Sequence, residues 1–175
     1  MTIARLFTVL ACLALLLSAG CDDGLAPFDE SQPSGFSGLI RFRNWPPPDS
    51  VQELRVVAFF EIPSDSAGLF NVLLAGGAAV YPAVGTKGLA QYVDSLPYTF
   101  TNIESSPSLQ VAEYKYIVIA QKYGSNIFAD WKPAGVYTIK PGTFEPATLR
   151  VLYHRIIPGI DIDVDFHNPP PKPWK

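Results

Sequence analysis

Residues 160–167 constrain the fold most, because Ile160, Ile162, Val164 and Phe166 alternate with Asp161, Asp163, Asp165 and His167. Period-two alternation sends one set into a core and the other into water, which is the signature of a half-buried strand. The most β-rich stretch is 114–122, where Tyr114, Tyr116, Val118 and Ala120 face one way and Lys115, Ile117, Ile119 and Gln121 the other. Around these, 17 prolines and 13 glycines cut the chain into short pieces. A strand over 36–43 is stopped by Asn44-Trp45-Pro46-Pro47-Pro48, since proline neither donates to a ladder nor leaves its fixed φ. In the next strand Leu54, Val56, Ala58 and Phe60 share one face and Arg55, Val57, Phe59 and Glu61 the other. Both faces are partly apolar, which predicts a mid-sheet strand covered on both sides over Val57 and Phe59. Further strands are expected over 98–103, 136–140 and 149–153. About seven short strands with one short helical insertion predict an all-β fold, an antiparallel β-sandwich occupying 36–168.

The insertion falls in the uncharged stretch between Asp65 and Lys87. Its length raises the question of a membrane span, but Asn71, Gly76, Gly77 and Pro82 interrupt it. Ser66, Leu69, Phe70, Val72, Leu73 and Leu74 read instead as a short helix closed by Gly76-Gly77 and packed over one open end of the core. Gly85-Thr86-Lys87-Gly88 is a turn without the spacing of a phosphate loop.

At the N-terminus, Leu17-Ser18-Ala19-Gly20-Cys21 follows Arg5 and the apolar run 6–17. This resembles a bacterial lipobox, with Ser18 where the family most often has leucine. The resemblance implies that 1–20 is a lipoprotein signal peptide, that cleavage precedes Cys21 and that the Cys21 thiol carries a diacylglycerol. Cys12 leaves too short an apolar run to be the cleavage point. Two or three acyl chains make a stable anchor without a transmembrane helix. Asp22-Asp23 resemble inner-membrane retention in some bacteria and surface export in others; the outer membrane of the cell envelope is preferred. Residues 21–35, rich in Asp, Ser, Pro and Gly, read as a flexible tether, and 169–175 as a polyproline-like tail. After cleavage the chain keeps 12 basic and 16 acidic residues, which argues against nucleic acid as a partner. Loss of Cys12 and acylation of Cys21 leave no disulfide and no cysteine metal cage.

The run 109–124, centred on Glu113-Tyr114-Lys115-Tyr116-Ile117-Val118-Ile119-Ala120, resembles the key strand of carboxypeptidase-regulatory or transthyretin-like modules, with Ala112 and Glu113 where those have Pro-Gly. The resemblance implies a prealbumin-like or immunoglobulin-like sandwich with a non-catalytic accessory or binding role.

Among chemical constellations, Asp161, Asp163 and Asp165 are the weaker candidates for a metal. Same-face carboxylates on a strand stand about 6.6–7 Å apart, and Phe166 and Lys172 occupy the glycine and glutamate positions of an EF-hand loop. A solvated strand face explains the row, so no metal or cofactor is expected. Gly35-Phe36-Ser37-Gly38 lacks the spacing of a nucleophile elbow and precedes its strand. His154 and His167 read as solvent-facing or hydrogen-bonded, so no enzyme is expected, and a hydrolase is the remotest reading. Trp45, Trp131 and Trp174 each sit beside proline. Each either caps an open end of the core, the simpler reading, or contributes to a ligand or partner surface that Tyr92, Tyr98, Tyr123 and Tyr137 could extend. The expectation is a lipid-anchored module that binds or scaffolds another envelope protein, with glycan binding through the loop tryptophans as the alternative.

Overall fold

The computed structural model describes residues 31–64, 72, 75–126 and 130–173. The chain separates into two units, Met1–Glu30 and Ser31–Lys175, and the second carries the fold. It is all-β. Its strands are β1 (Gly35–Arg43), β2 (Glu53–Phe59), β3 (Ala78–Tyr81), β4 (Ser95–Thr101), β5 (Glu113–Tyr114), β6 (Tyr116–Lys122), β7 (Trp131–Val136), β8 (Leu149–Arg150), β9 (Ile156–Ile157) and β10 (Ile162–Asp165). One sheet runs β3-β2-β6-β7-β10-β1-β4 with β9 attached to β1, and β5 and β8 form a separate ribbon.

The sheet is mixed rather than purely antiparallel. β10 lies parallel to β1, pairing Ile40 with Ile162 and Phe42 with Val164, and β9 is parallel to β1 at Gly35 and Phe36. The other pairings are antiparallel. Proline and glycine turns announce antiparallel neighbours, but β1 and β10 are the first and last strands of the sheet, and no turn joins them.

The sheet curls around its core. Phe36, Ile40, Leu54, Val56, Phe100, Ile117, Ile119, Ile162 and Val164, drawn from strands across its whole width, meet in one buried cluster. Tyr81 at the β3 edge stacks on Phe100 of β4, with ring centroids 5.5 Å apart. The outer side of β3 is covered by residues 106–107, where the Ser106 amide donates to the Val80 carbonyl at 3.1 Å and the Val80 amide to the Pro107 carbonyl at 3.3 Å. An otherwise open edge is thereby satisfied.

β2 is covered on both faces as its pattern predicts. Leu54, Val56 and Ala58 enter the main core, whereas Val57 and Phe59 join Ala78, Val80, Tyr116, Val118 and Val136 in a second cluster on the outer face. Arg55 lies on that outer face yet is only 4% exposed. Its guanidinium donates to the carbonyls of Ala83 at 2.8 Å and Thr86 at 2.6 Å, to Pro82, and to Glu53. One cation thus fastens the 82–86 turn to the sheet, because a buried arginine is tolerated only when its donors are matched.

Several strands differ in extent from the sequence pattern. The strand expected over 136–140 does not form: β7 spans Trp131–Val136, shares only Val136 with that expectation, and contains Pro133. It fits because the β6–β7 register shifts between Ile119 and Ala120, beside the Ala120–Pro133 pair. β4 begins three residues before the expected 98–103 and includes Pro97, tolerated on an edge strand. β3 lies within the stretch read as an insertion, and β9 carries too few residues to show a period. The helix expected over 66–74 falls almost wholly outside the described residues, as do most of the signal-peptide and tether positions, including Cys21. No helix among the described residues is long and apolar enough to cross a membrane.

Two substitutions test these contacts by urea denaturation. A Cβ on Gly38 meets the Ile160 carbonyl oxygen at 2.1 Å, so Gly38→Ala should cost about 2 kcal/mol. Arg55→Met strands the loop carbonyls and should cost about 3 kcal/mol; unchanged stability in either variant contradicts the corresponding contact.

Candidate functional site

β1 and β10 run in the same sense, and β6 joins them through its antiparallel pairing with β7, itself antiparallel to β10. The C-terminal ends of β1, β6 and β10 and the start of β7 therefore share one end of the sheet. Trp45, just beyond β1, and Trp131, the first residue of β7, both belong to that end. Trp174 lies outside the described residues.

Trp45 is half-buried at the centre of an aromatic stack. Its ring centroid lies 4.8 Å from Phe42, 4.5 Å from Phe166 and 4.8 Å from Tyr92, with interplanar angles of 32–37°. Its indole Nε1–H donates to the Val93 carbonyl at 3.0 Å. Phe42 roots the stack in the core, and Tyr92 forms its outer member at 44% exposure. The Tyr92 hydroxyl donates to the Pro47 carbonyl at 3.3 Å, tying it to the proline segment. That segment is anchored from below by Gln121, whose amide nitrogen donates to the Ser50 carbonyl at 2.9 Å. Trp45 is accordingly a cap on the core, and Tyr92 supplies most of the free ring surface.

The other aromatic positions divide. Tyr123 is 44% exposed beside Trp131, with the Lys132 ammonium 5.7 Å from its ring centroid, a cation–π contact. Trp131 is half-buried. Tyr98 does not extend the surface: it is buried, its hydroxyl donates to the Ile160 carbonyl at 2.7 Å, and burial drives its pKa far upward. Tyr137 is half-buried against the core. Pro170 is buried, so the proline tail packs down along the domain at least that far.

The aspartate row is engaged with β1. Asp161 accepts from the Leu39 amide at 2.9 Å and from the Arg41 guanidinium at 2.7 Å, and Arg41 also lies 3.8 Å from Asp163. Asp165 accepts from the Asn44 side chain at 2.8 Å and the His167 amide at 3.0 Å. The Leu39 amide first, and Arg41 second, hold the Asp161 carboxyl below its ordinary range; Asn44 does the same for Asp165. No cluster of three or more metal-ligating side chains occurs among the described residues. The row serves as the outward, charged side of the parallel β1–β10 pair.

The two histidines lie at opposite ends of the domain. His154 Nδ1 faces the Gln32 carbonyl at 3.1 Å, and its backbone amide donates to Ser34 Oγ at 2.9 Å. His167 is exposed at the aromatic end, and Ser37 sits inside β1 opposite Thr99. Phe166 and Arg55 are the residues whose roles sequence reading missed. Phe166 looked like one more core position, and the signal for Arg55 was a cation inside a strand read as covered on both faces.

Comparison of the chain with protein-family models, curated proteins and solved structures finds no match.

The Asp161 geometry has a pH consequence. A carboxyl with a lowered folded-state pKa stabilises the fold above its ordinary value of 3.8, and that contribution disappears as pH falls through the lowered value. In Arg41→Gln the Leu39 amide remains, so the Asp161 carboxyl should titrate part of the way back toward 3.8 in a carbon-detected NMR titration. An identical titration curve in both proteins indicates that the ion pair does not form in solution.

Proposed function

We propose that this chain is a lipid-anchored cell-envelope protein whose β-domain holds its aromatic end out to another envelope protein and performs no catalysis. The observation that carries the reading is the Tyr92–Trp45–Phe166 stack, rooted in the core through Phe42 and edged by a proline segment. Rigid aromatics presented by stiff loops bind with little loss of conformational entropy, because few rotamers remain to be frozen. The stack lies at the opposite end of β1 from Gly35, where the chain from the proposed Cys21 anchor enters the sheet. β1 is nine residues long, which sets its two ends about 27 Å apart at the rise of an extended strand. A domain attached at Gly35 therefore has its aromatic end free for a partner.

A sandwich of the transthyretin-like or immunoglobulin-like kind remains the finer reading of the fold. Two observations support it: the core enclosed by the curled sheet, and Tyr114, whose hydroxyl bonds to the backbone of Gln110 four residues upstream. Such a tyrosine corner belongs to Greek-key sandwiches. Burial, offset in part by the Gln110 backbone, raises the Tyr114 pKa to about 12, so its hydroxyl stays protonated and able to donate.

Glycan binding is the second reading. Trp45 and Trp131 sharing one end favours it; against it, the Trp45 ring is covered by three aromatic neighbours and its N–H is already used.

The test places a photo-crosslinking amino acid at Tyr92 in cells, with Ile139, beyond the opposite end of β7, as comparison. One envelope protein recovered in near-stoichiometric amount from position 92 and not from 139 is the expected result. Its co-purification with the unlabelled protein should drop at least tenfold in Tyr92→Ala, the loss of about 1.4 kcal/mol of contact. Capture of no protein from position 92 overturns the partner reading and brings glycans forward.

A further inference from the structure

The end of the domain opposite the aromatic stack is built around Ser34. Its backbone carbonyl accepts from the Asn102 amide at 3.0 Å, its amide donates to Asn102 Oδ1 at 3.1 Å, and its hydroxyl accepts from the His154 amide at 2.9 Å. Next door, the Gly35 amide donates to the Arg155 carbonyl at 2.9 Å. These bonds bring the 102–104 turn and the 152–155 turn to either side of the point where the chain enters the fold.

Both turns expose apolar side chains that serve no core. Ile103, next to Asn102, is 72% exposed, and Tyr153, next to His154, is 68% exposed, with Leu152 at 37% beside it. Leu152 and Tyr153 also line a groove of about 270 Å³ with Val111, Ala112 and Val151, where Glu113 and Arg150 contribute one charge of each sign. Arg155 is exposed among them, and Glu104 beside Ile103 carries the opposite charge, so apolar contact rather than net charge dominates this end. A small cluster of isoleucine, leucine and tyrosine on exposed turns with an arginine nearby has the composition of a surface that rests in a lipid interface, where tyrosine and arginine favour the headgroup level.

We infer that this end of the domain lies against the lipid surface to which the chain is anchored, with Ile103, Leu152 and Tyr153 as its contact residues. The inference rests on the reading of Cys21 as the lipid attachment point. Fourteen residues, Cys21 through Ser34, separate the acyl chains from the Ser34 bonds. A random coil of that length spans about 20 Å on average, less than the length of β1, so an anchor at Cys21 favours this end over the aromatic end for contact with the bilayer. Contacts too weak to recruit a free protein suffice once a tether holds the local concentration in the millimolar range.

The mature chain has no cysteine other than Cys21, so a cysteine introduced elsewhere is a unique labelling site in the acylated protein. Ile103→Cys, Tyr153→Cys and, at the aromatic end, Tyr123→Cys are each labelled with a fluorophore. The full lipidated chains are then placed in phosphatidylethanolamine–phosphatidylglycerol vesicles containing nitroxide-bearing lipid. Quenching several-fold stronger at 103 and 153 than at 123 is expected. Equal quenching at all three positions, or stronger quenching at 123, overturns the inference and leaves the anchor standing. Intact-mass measurement of the same samples separates the premise: an unacylated Cys21 removes the anchor reading and the inference together.

Discussion

The parallel pairing of β1 with β10 is the contact on which the rest of the structure depends. It joins the β3-β2-β6-β7 side of the sheet to the β1-β4 side, with β10 as the bridging strand. On the inner face Ile40, Phe42, Ile162 and Val164 are almost fully buried, each contributing about 1.5–3 kcal/mol of apolar burial. On the outer face Arg41 sits between Asp161 and Asp163, and Asn44 meets Asp165. Those exposed pairs contribute little energy each, but like-charged neighbours along one strand without a cation opposite them would oppose the register that the core requires.

That pairing also gives the domain two chemically different ends. At the C-terminal end of β1 the core continues outward as Phe42, Trp45, Phe166 and Tyr92, so the aromatic surface is an extension of the hydrophobic interior and inherits its rigidity. At the N-terminal end, Ser34 collects two turns whose apolar side chains point away from the core. One end of β1 thus carries a rigid aromatic surface continuous with the core, and the other carries exposed aliphatic and tyrosine side chains on two turns.

Much of this was legible locally. β1, β2 and β10 appear where alternation puts them, because each has a solvent or core face that period two must respect. The strand expected over 114–122 instead breaks at Lys115: Tyr114 lies in β5 and enters the main core with Ile117 and Ile119, not the outer cluster with Tyr116 and Val118. The double coverage of β2 could be read from Val57 and Phe59 being apolar on the face shared with Arg55. What that face demanded of Arg55 could not be read, since its acceptors are backbone carbonyls some thirty residues away that carry no side-chain signature. β7 was displaced in the sequence reading for a related reason. Pro133 argues against a strand unless a register shift absorbs it, and such a shift depends on the partner strand.

The sequence by itself determined the all-β class, the faces of the main strands, the net acidity and the resemblance to a lipobox at Cys21, because each is a property of neighbouring residues. Only the tertiary structure decided that the first and last strands pair in parallel and that Tyr98 belongs to the interior. It alone placed Trp45 and Trp131 at one end, and Ile103 and Tyr153 around Ser34. The physical reason is common to all of these: they join segments tens of residues apart or more, and chain-distant neighbours leave no period, cap or turn signal in either segment alone.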